Sequence, residues 1–89
     1  MAKYLVIHPV GSEITLESVA PVAKATKVCL TSDAYWIRSV YCRDVGKMFC
    51  EWDAKNPQAI MDILNKVLPQ LPTEGVYEQS MVVNSEDFR

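Results

Sequence analysis

AYWIRSVYCRDVGKMFCEWDA, residues 34–54, reads as two runs of β-formers joined by a turn around Asp44–Gly46, and it is apolar or aromatic at odd and even positions alike. Side chains along a strand alternate between the two faces of a sheet, so a sheet with one wet face should show that alternation in its sequence. This hairpin does not, and cover is therefore expected on both of its sides. Gly46 supplies the positive φ that a tight turn calls for.

Upstream, Lys3–Val10 carries Tyr4, Leu5, Val6 and Ile7 and is interrupted at Pro9, which marks a first strand. Gly11 and Ser12 turn the chain into TLESVAPVAKATKVCL, where Val19, Val22, Ala23, Thr26 and Leu30 recur at helical spacing. Thr15 and Ser18 both qualify as N-cap. Pro21 favours Ser18, because it then falls in the first turn, where a missing N–H costs nothing, and the helix runs for about 12 residues. Downstream, NPQAIMDILNKVLP has Asn56 to cap, Pro57 at the first helical position, a stripe of Ile60, Ile63, Leu64, Val67 and Leu68, and Pro69 to end the run. A last strand is expected over Gly75–Val83.

Strand, helix, strand, strand, helix, strand is the order of an α+β, ferredoxin-like βαββαβ domain: a four-stranded antiparallel sheet, strand order 4-1-3-2, with two helices on one face. His8, the hairpin turn and the start of the last strand should then gather at one end. Residues 1–83 form the single domain and residues 84–89 a polar tail. In the second strand Arg38 would be costly under helices, so Trp36, Arg38, Val40 and Cys42 are expected on the outer face and Ile37, Ser39 and Tyr41 on the helix side. A two-residue loop pairing Asp44 with Lys47 adds Phe49 and Glu51 to the outer face and puts Cys50 on the helix side; a three-residue loop reverses that. In the first strand the aliphatic pair Leu5 and Ile7 is expected under the helices and Tyr4, Val6 and His8 outside.

So much apolar surface on an outer face calls for a partner. A second copy packed sheet to sheet makes a dimeric α+β barrel, and burying about 800 Å² per subunit would give an interface of standard size. Within the resulting space Arg38 and Glu51 could anchor a small anionic ligand, with Tyr4, Trp36 and Glu78 as further ligand-binding candidates.

At 89 residues, with a formal net charge of −2 and a pI near 5.2, the chain has no basic footprint for nucleic acid and no polybasic membrane anchor. No apolar run approaches the roughly 20 residues of a membrane span, and MAKYLVIHPV has neither the apolar core nor the cleavage site of a secretory signal, so a cytoplasmic protein is expected. Cys29, Cys42 and Cys50 are odd in number and lack C-x-x-C spacing, which points to reduced thiols rather than a disulfide framework or zinc knuckle. There is no Ser/His/Asp order and no glycine-rich phosphate loop, so no catalytic residue is assigned and a binding protein is favoured over an enzyme.

The stretch WIRSVYCRDVGKMFCEWDAKNPQAI resembles the core signature of a family of small ferredoxin-like domains of formerly unknown function, one member of which is described as a nickel-binding protein. Trp36, Arg38, Ser39, Gly46, Lys47, Phe49, Cys50, Trp52, Asp53, Ala54, Ala59, Leu71, Pro72, Glu74 and Glu78 fit the pattern. The resemblance implies a small dimeric binding protein that takes nickel or another divalent transition metal, with His8 as metal ligand and carboxylates such as Glu51 or Glu78 beside it. The chain departs from the family where it has Ile7 in place of a glutamate on the first strand, and Ile63, Leu64 and their neighbours where members carry one or two histidines on the second helix. Two alternatives stand beside the metal: a barrel that binds or transforms a small organic molecule between the sheets, and an assembly or regulatory module without a ligand.

Overall fold

Six elements and a terminal turn follow one another as β1 (Ala2–Pro9), α1 (Leu16–Cys29), β2 (Ala34–Cys42), β3 (Lys47–Ala54), α2 (Pro57–Val67), β4 (Gly75–Glu78) and a 3-10 turn at Ser85–Phe88. This computed structural model describes residues 1–88; Arg89, the end of the expected polar tail, lies outside the described residues. The sheet order is β2-β3-β1-β4 with every neighbouring pair antiparallel, the expected ferredoxin-like topology. His8, the hairpin tip and the segment before β4 do meet at one end: Val10 and Gly11 N–H groups both donate to Gly46 O at 3.0 Å, and Glu74 N–H donates to Ile7 O at 2.7 Å. Gly46 has φ +64°, and a Cβ there would press on the Gly11 backbone at 3.2 Å, so the turn needs glycine on both counts.

The helix starts differ from expectation in one case. Asn56 caps α2 as foreseen, its Oδ1 accepting from Ala59 N–H at 2.9 Å, with Pro57 opening the helix and Ile60, Ile63 and Leu64 buried. In α1 the cap is Thr15, not Ser18, and the helix is 14 residues long. Ser18 instead serves as the reciprocal partner of a capping box: Ser18 N–H donates to Thr15 Oγ1 at 3.1 Å and Thr15 N–H to Ser18 Oγ at 3.0 Å. Two amide donors satisfied at once outweigh the loss at Pro21, which now sits inside the helix with no N–H to give to Glu17 O.

The strand facings are corrected in two places, and both decide where the site residues point. Register pairs Tyr4 with Trp52, Val6 with Cys50 and His8 with Met48, and the core under the helices contains Tyr4, Val6, Cys50 and Trp52 with His8 beside them. Leu5 and Ile7 therefore lie on the outer face, the reverse of the expectation. Both sets are apolar enough to be buried, so periodicity carried no preference, and pairing to β3 settles it. On β2 a bulge between Trp36 and Arg38 inserts Ile37 into the ladder. Trp36 is thereby returned to the helix side opposite Trp52, while Arg38, Val40 and Cys42 stay outside.

The hairpin turn is longer than either loop considered, since Cys42 pairs with Lys47 across Arg43–Gly46. An even loop keeps parity, so Cys50 faces in, opposite Ser39, and Phe49 and Glu51 face out. β4 is shorter than the expected Gly75–Val83. Its partner β1 begins at Ala2, and after the bond from Gln79 N–H to Lys3 O at 2.8 Å the chain has nothing left to pair with.

Candidate functional site

The expected site residues are divided between the two faces of the sheet. On the outer face Arg38 Nε donates to Glu51 Oε1 at 2.6 Å, and Gln79 Nε2 donates to the other carboxylate oxygen at 3.2 Å. The Arg38 hydrogen bond, then that from Gln79, hold the Glu51 carboxyl below its ordinary range. Around this pair lie half-buried Leu5, Ile7 and Phe49 and exposed Val40 and Tyr77, with a second ion pair, Lys3–Asp53 at 3.0 Å. Arg38 is largely exposed and already neutralised by Glu51, so one protomer offers no enclosed anion site there.

The helix face holds Tyr4, Trp36 and His8. Glu78 pairs with Tyr4 across β1 and β4 but is exposed, well away from Glu51 in the sense that they occupy opposite faces. His8 is 2% exposed. Its Nδ1 lies 3.1 Å from Pro72 O and 3.3 Å from Thr73 Oγ1, and since a carbonyl can only accept, Nδ1 carries the proton. Burial pushes the His8 pKa below its usual value, against a smaller upward pull from Pro72, so the ring is neutral with Nε2 unprotonated.

Beside it runs a short relay of which residue spacing carries little sign: Trp36 Nε1–H donates to Ser39 Oγ at 2.9 Å, and Ser39 Oγ–H donates to Cys50 Sγ at 2.9 Å. Burial raises the Cys50 pKa, only partly offset by the Ser39 bond, so this is a thiol and not a thiolate nucleophile. Trp52 faces the same space, and the pairing of two tryptophans across a bulge is not visible in the spacing of the residues. These groups line a cavity of about 250 Å³ between the sheet and the two helices.

A nickel ion needs several imidazole, thiolate or carboxylate donors converging on one point. Among the described residues no group of three His, Cys, Asp or Glu side chains does so. His8 and Glu51, the imagined core of a metal site, are on opposite faces of the sheet, and His8 Nδ1 is committed to Pro72. The residues of one protomer do not fit the metal.

Fold and faces together define a small ferredoxin-like α+β domain with a cavity under its helices and an uncovered apolar sheet face. The family described as nickel responsive protein SCO4226-like matches residues 4–78, and the chain belongs to that family. In three dimensions it is similar to SCO4226 from Streptomyces coelicolor A3(2), known from a crystal structure, with a TM-score of 0.78 and 12% identity over 92% of this chain and 100% of that one. At that identity the likeness shows the fold alone. No curated protein matches the chain. Among the described residues no helix is long and apolar enough to cross a membrane.

Proposed function

We propose that the protein is a homodimeric binding protein of the nickel responsive family, its outer sheet faces packed against each other, and that its nickel-related role rests on the assembled dimer rather than on a His8 centre in one protomer. The observation that carries the dimer is surface area. A compact monomer of 10.0 kDa exposes about 5,200 Å². This chain exposes 6058 Å², roughly 800 Å² more than that, and both the uncovered sheet face and the extended segment after β4 contribute to the excess. Much of the exposed apolar surface lies on the outer face and in the segment after β4, where Met81, Val82 and Val83 are all exposed. A second copy would cover the face symmetrically and dry the Arg38–Glu51 pair, strengthening a contact that is worth little in water.

Analytical ultracentrifugation over a dilution series from nanomolar to high micromolar is expected to show dimers that dissociate only at the dilute end. Phe49→Glu should give monomers with unchanged far-ultraviolet circular dichroism. Wild-type monomers throughout the series would overturn the proposal. Native mass spectrometry after Ni(II) addition should show the same ion retention for wild type and His8→Asn; an ion held one per protomer and lost with His8 would refute the second half.

A further inference from the structure

α1 packs chiefly on α2 and stands off the sheet, leaving a half-open cavity of about 250 Å³ beneath it. Its walls are mostly apolar, from Val19, Val22 and Ala23 on α1, Leu64 on α2, and Met48 and Trp52 on β3. No Lys, Arg, Asp or Glu side chain lines it. The hydroxyls of the wall are committed within the protein: Thr26 Oγ1 donates to Val22 O at 2.8 Å, Ser18 Oγ to Thr15 O at 2.9 Å, and Ser39 Oγ stands between Trp36 and Cys50 in the relay. Trp52 Nε1–H has no partner among the described residues, but its neighbours enclose it, so it offers the cavity nothing.

One polar atom of the wall is left over. His8 lines the cavity and is 2% exposed. Its Nδ1–H is turned to Pro72 O and Thr73 Oγ1, in the segment that leads into β4. β3 and β4 flank β1 on opposite sides, so Nε2, on the other side of the ring, is turned toward β3, where Met48 and Cys50 form the cavity wall. With the proton on Nδ1, Nε2 is an acceptor. No hydrogen bond reaches it among the described residues, and unlike Trp52 Nε1 it is not closed off by its neighbours. A buried acceptor left unmade is costly, so native structures seldom keep one without a use.

We propose that this cavity is a binding site for a neutral, largely apolar ring compound whose hydroxyl group donates a hydrogen bond to His8 Nε2. Size sets the class: an apolar cavity of about 150 Å³ takes benzene, so this one takes roughly ten heavy atoms. Charge sets it too, because an ion entering a cavity without a counter-charge bears its full desolvation cost. So does the direction of the bond: an acceptor in the wall selects a donor, and an ether or ketone of the same shape gains nothing from it. The site lies within one protomer, on the side of the sheet opposite the proposed dimer face, so it holds or fails independently of association.

The test uses 5-indanol, a fused bicycle with one hydroxyl, against indane, which lacks it. His8 is the one histidine of the sequence, so in the full-length ¹⁵N-labelled protein the ring nitrogen signals need no assignment. At pH 7.5 the free protein should show Nε2 at the position of an unprotonated ring nitrogen. 5-Indanol is expected to move that signal upfield, as accepting a hydrogen bond does, and indane to leave it in place. His8→Phe keeps the bulk of the ring without the acceptor and should lower the ratio of 5-indanol to indane affinity about tenfold, the worth of one hydrogen bond. Ala23→Leu, which fills the cavity from α1, should abolish binding of both probes. If His8→Phe does not fold, the wild-type ring signals carry the test. A protonated Nε2 in the free protein, no binding of 5-indanol, binding that leaves the Nε2 signal in place or survives Ala23→Leu, or an unchanged affinity ratio in folded His8→Phe would overturn the proposal.

Discussion

His8 shows how burial turns one residue into a pH dependence. The unfolded chain takes up a proton as pH falls through about 6.5, while the folded ring stays neutral to lower pH because burial opposes its charge. The stability it protects is therefore complete above that value and declines as pH falls toward the lowered folded pKa. His8→Asn keeps an N–H to offer Pro72 and removes the titration. Urea denaturation at pH 7 and pH 5 should show the wild type losing up to about 1.4 kcal/mol more than the variant per pH unit. Cys50 gives a second check at this scale: its raised pKa and burial should make it the last of the three thiols to react with iodoacetamide at pH 8, after half-buried Cys29 and Cys42. The sequence sets His8 at the hairpin end of β1, as found, and leaves the facing of Cys50 to the parity of the hairpin loop, which the structure resolves as even. It sets His8 on the wrong face, because Leu5 and Ile7 offer an equally apolar alternative to Tyr4 and Val6, and only pairing with β3 distinguishes them.

At the scale of elements, the capping box of α1 and the bulge of β2 are the features that single-residue signals understated. Pro21 weighed against Thr15 as cap when taken alone, yet the reciprocal bonds between Thr15 and Ser18 carry the helix start past that cost. Thr15→Ala should destabilise the protein by about 1 kcal/mol, read as a lower urea midpoint at constant m-value, and Ser18→Ala by less. The bulge has no sequence signature of its own. Ile37 is one more β-branched residue in a β-rich run, so Trp36 seemed to share a face with Arg38, whereas one inserted residue separates them. α2 was legible almost throughout, because cap, leading proline, apolar stripe and terminal proline all agree there.

Taken whole, the molecule has a fold that its element order made plain and a site that it did not. Arg38 and Glu51 share the outer face as expected, but the residues expected beside them lie on the other side of the sheet, and the orphaned donor of Trp52 emerges only when the helices are in place. A domain this small with an uncovered sheet should draw stability from association. Its thermal midpoint is expected to rise with protein concentration, and that of Phe49→Glu to stay constant; a wild-type midpoint independent of concentration would count against the dimer. The bulge at Ile37 has one more result. By returning Trp36 to the side of Trp52, it places both of the protein's indoles under the helices and neither on the outer face. Ultraviolet-excited emission from this chain should thus be silent when subunits part and responsive when something enters beneath α1, an optical reporter of the interior with no label needed.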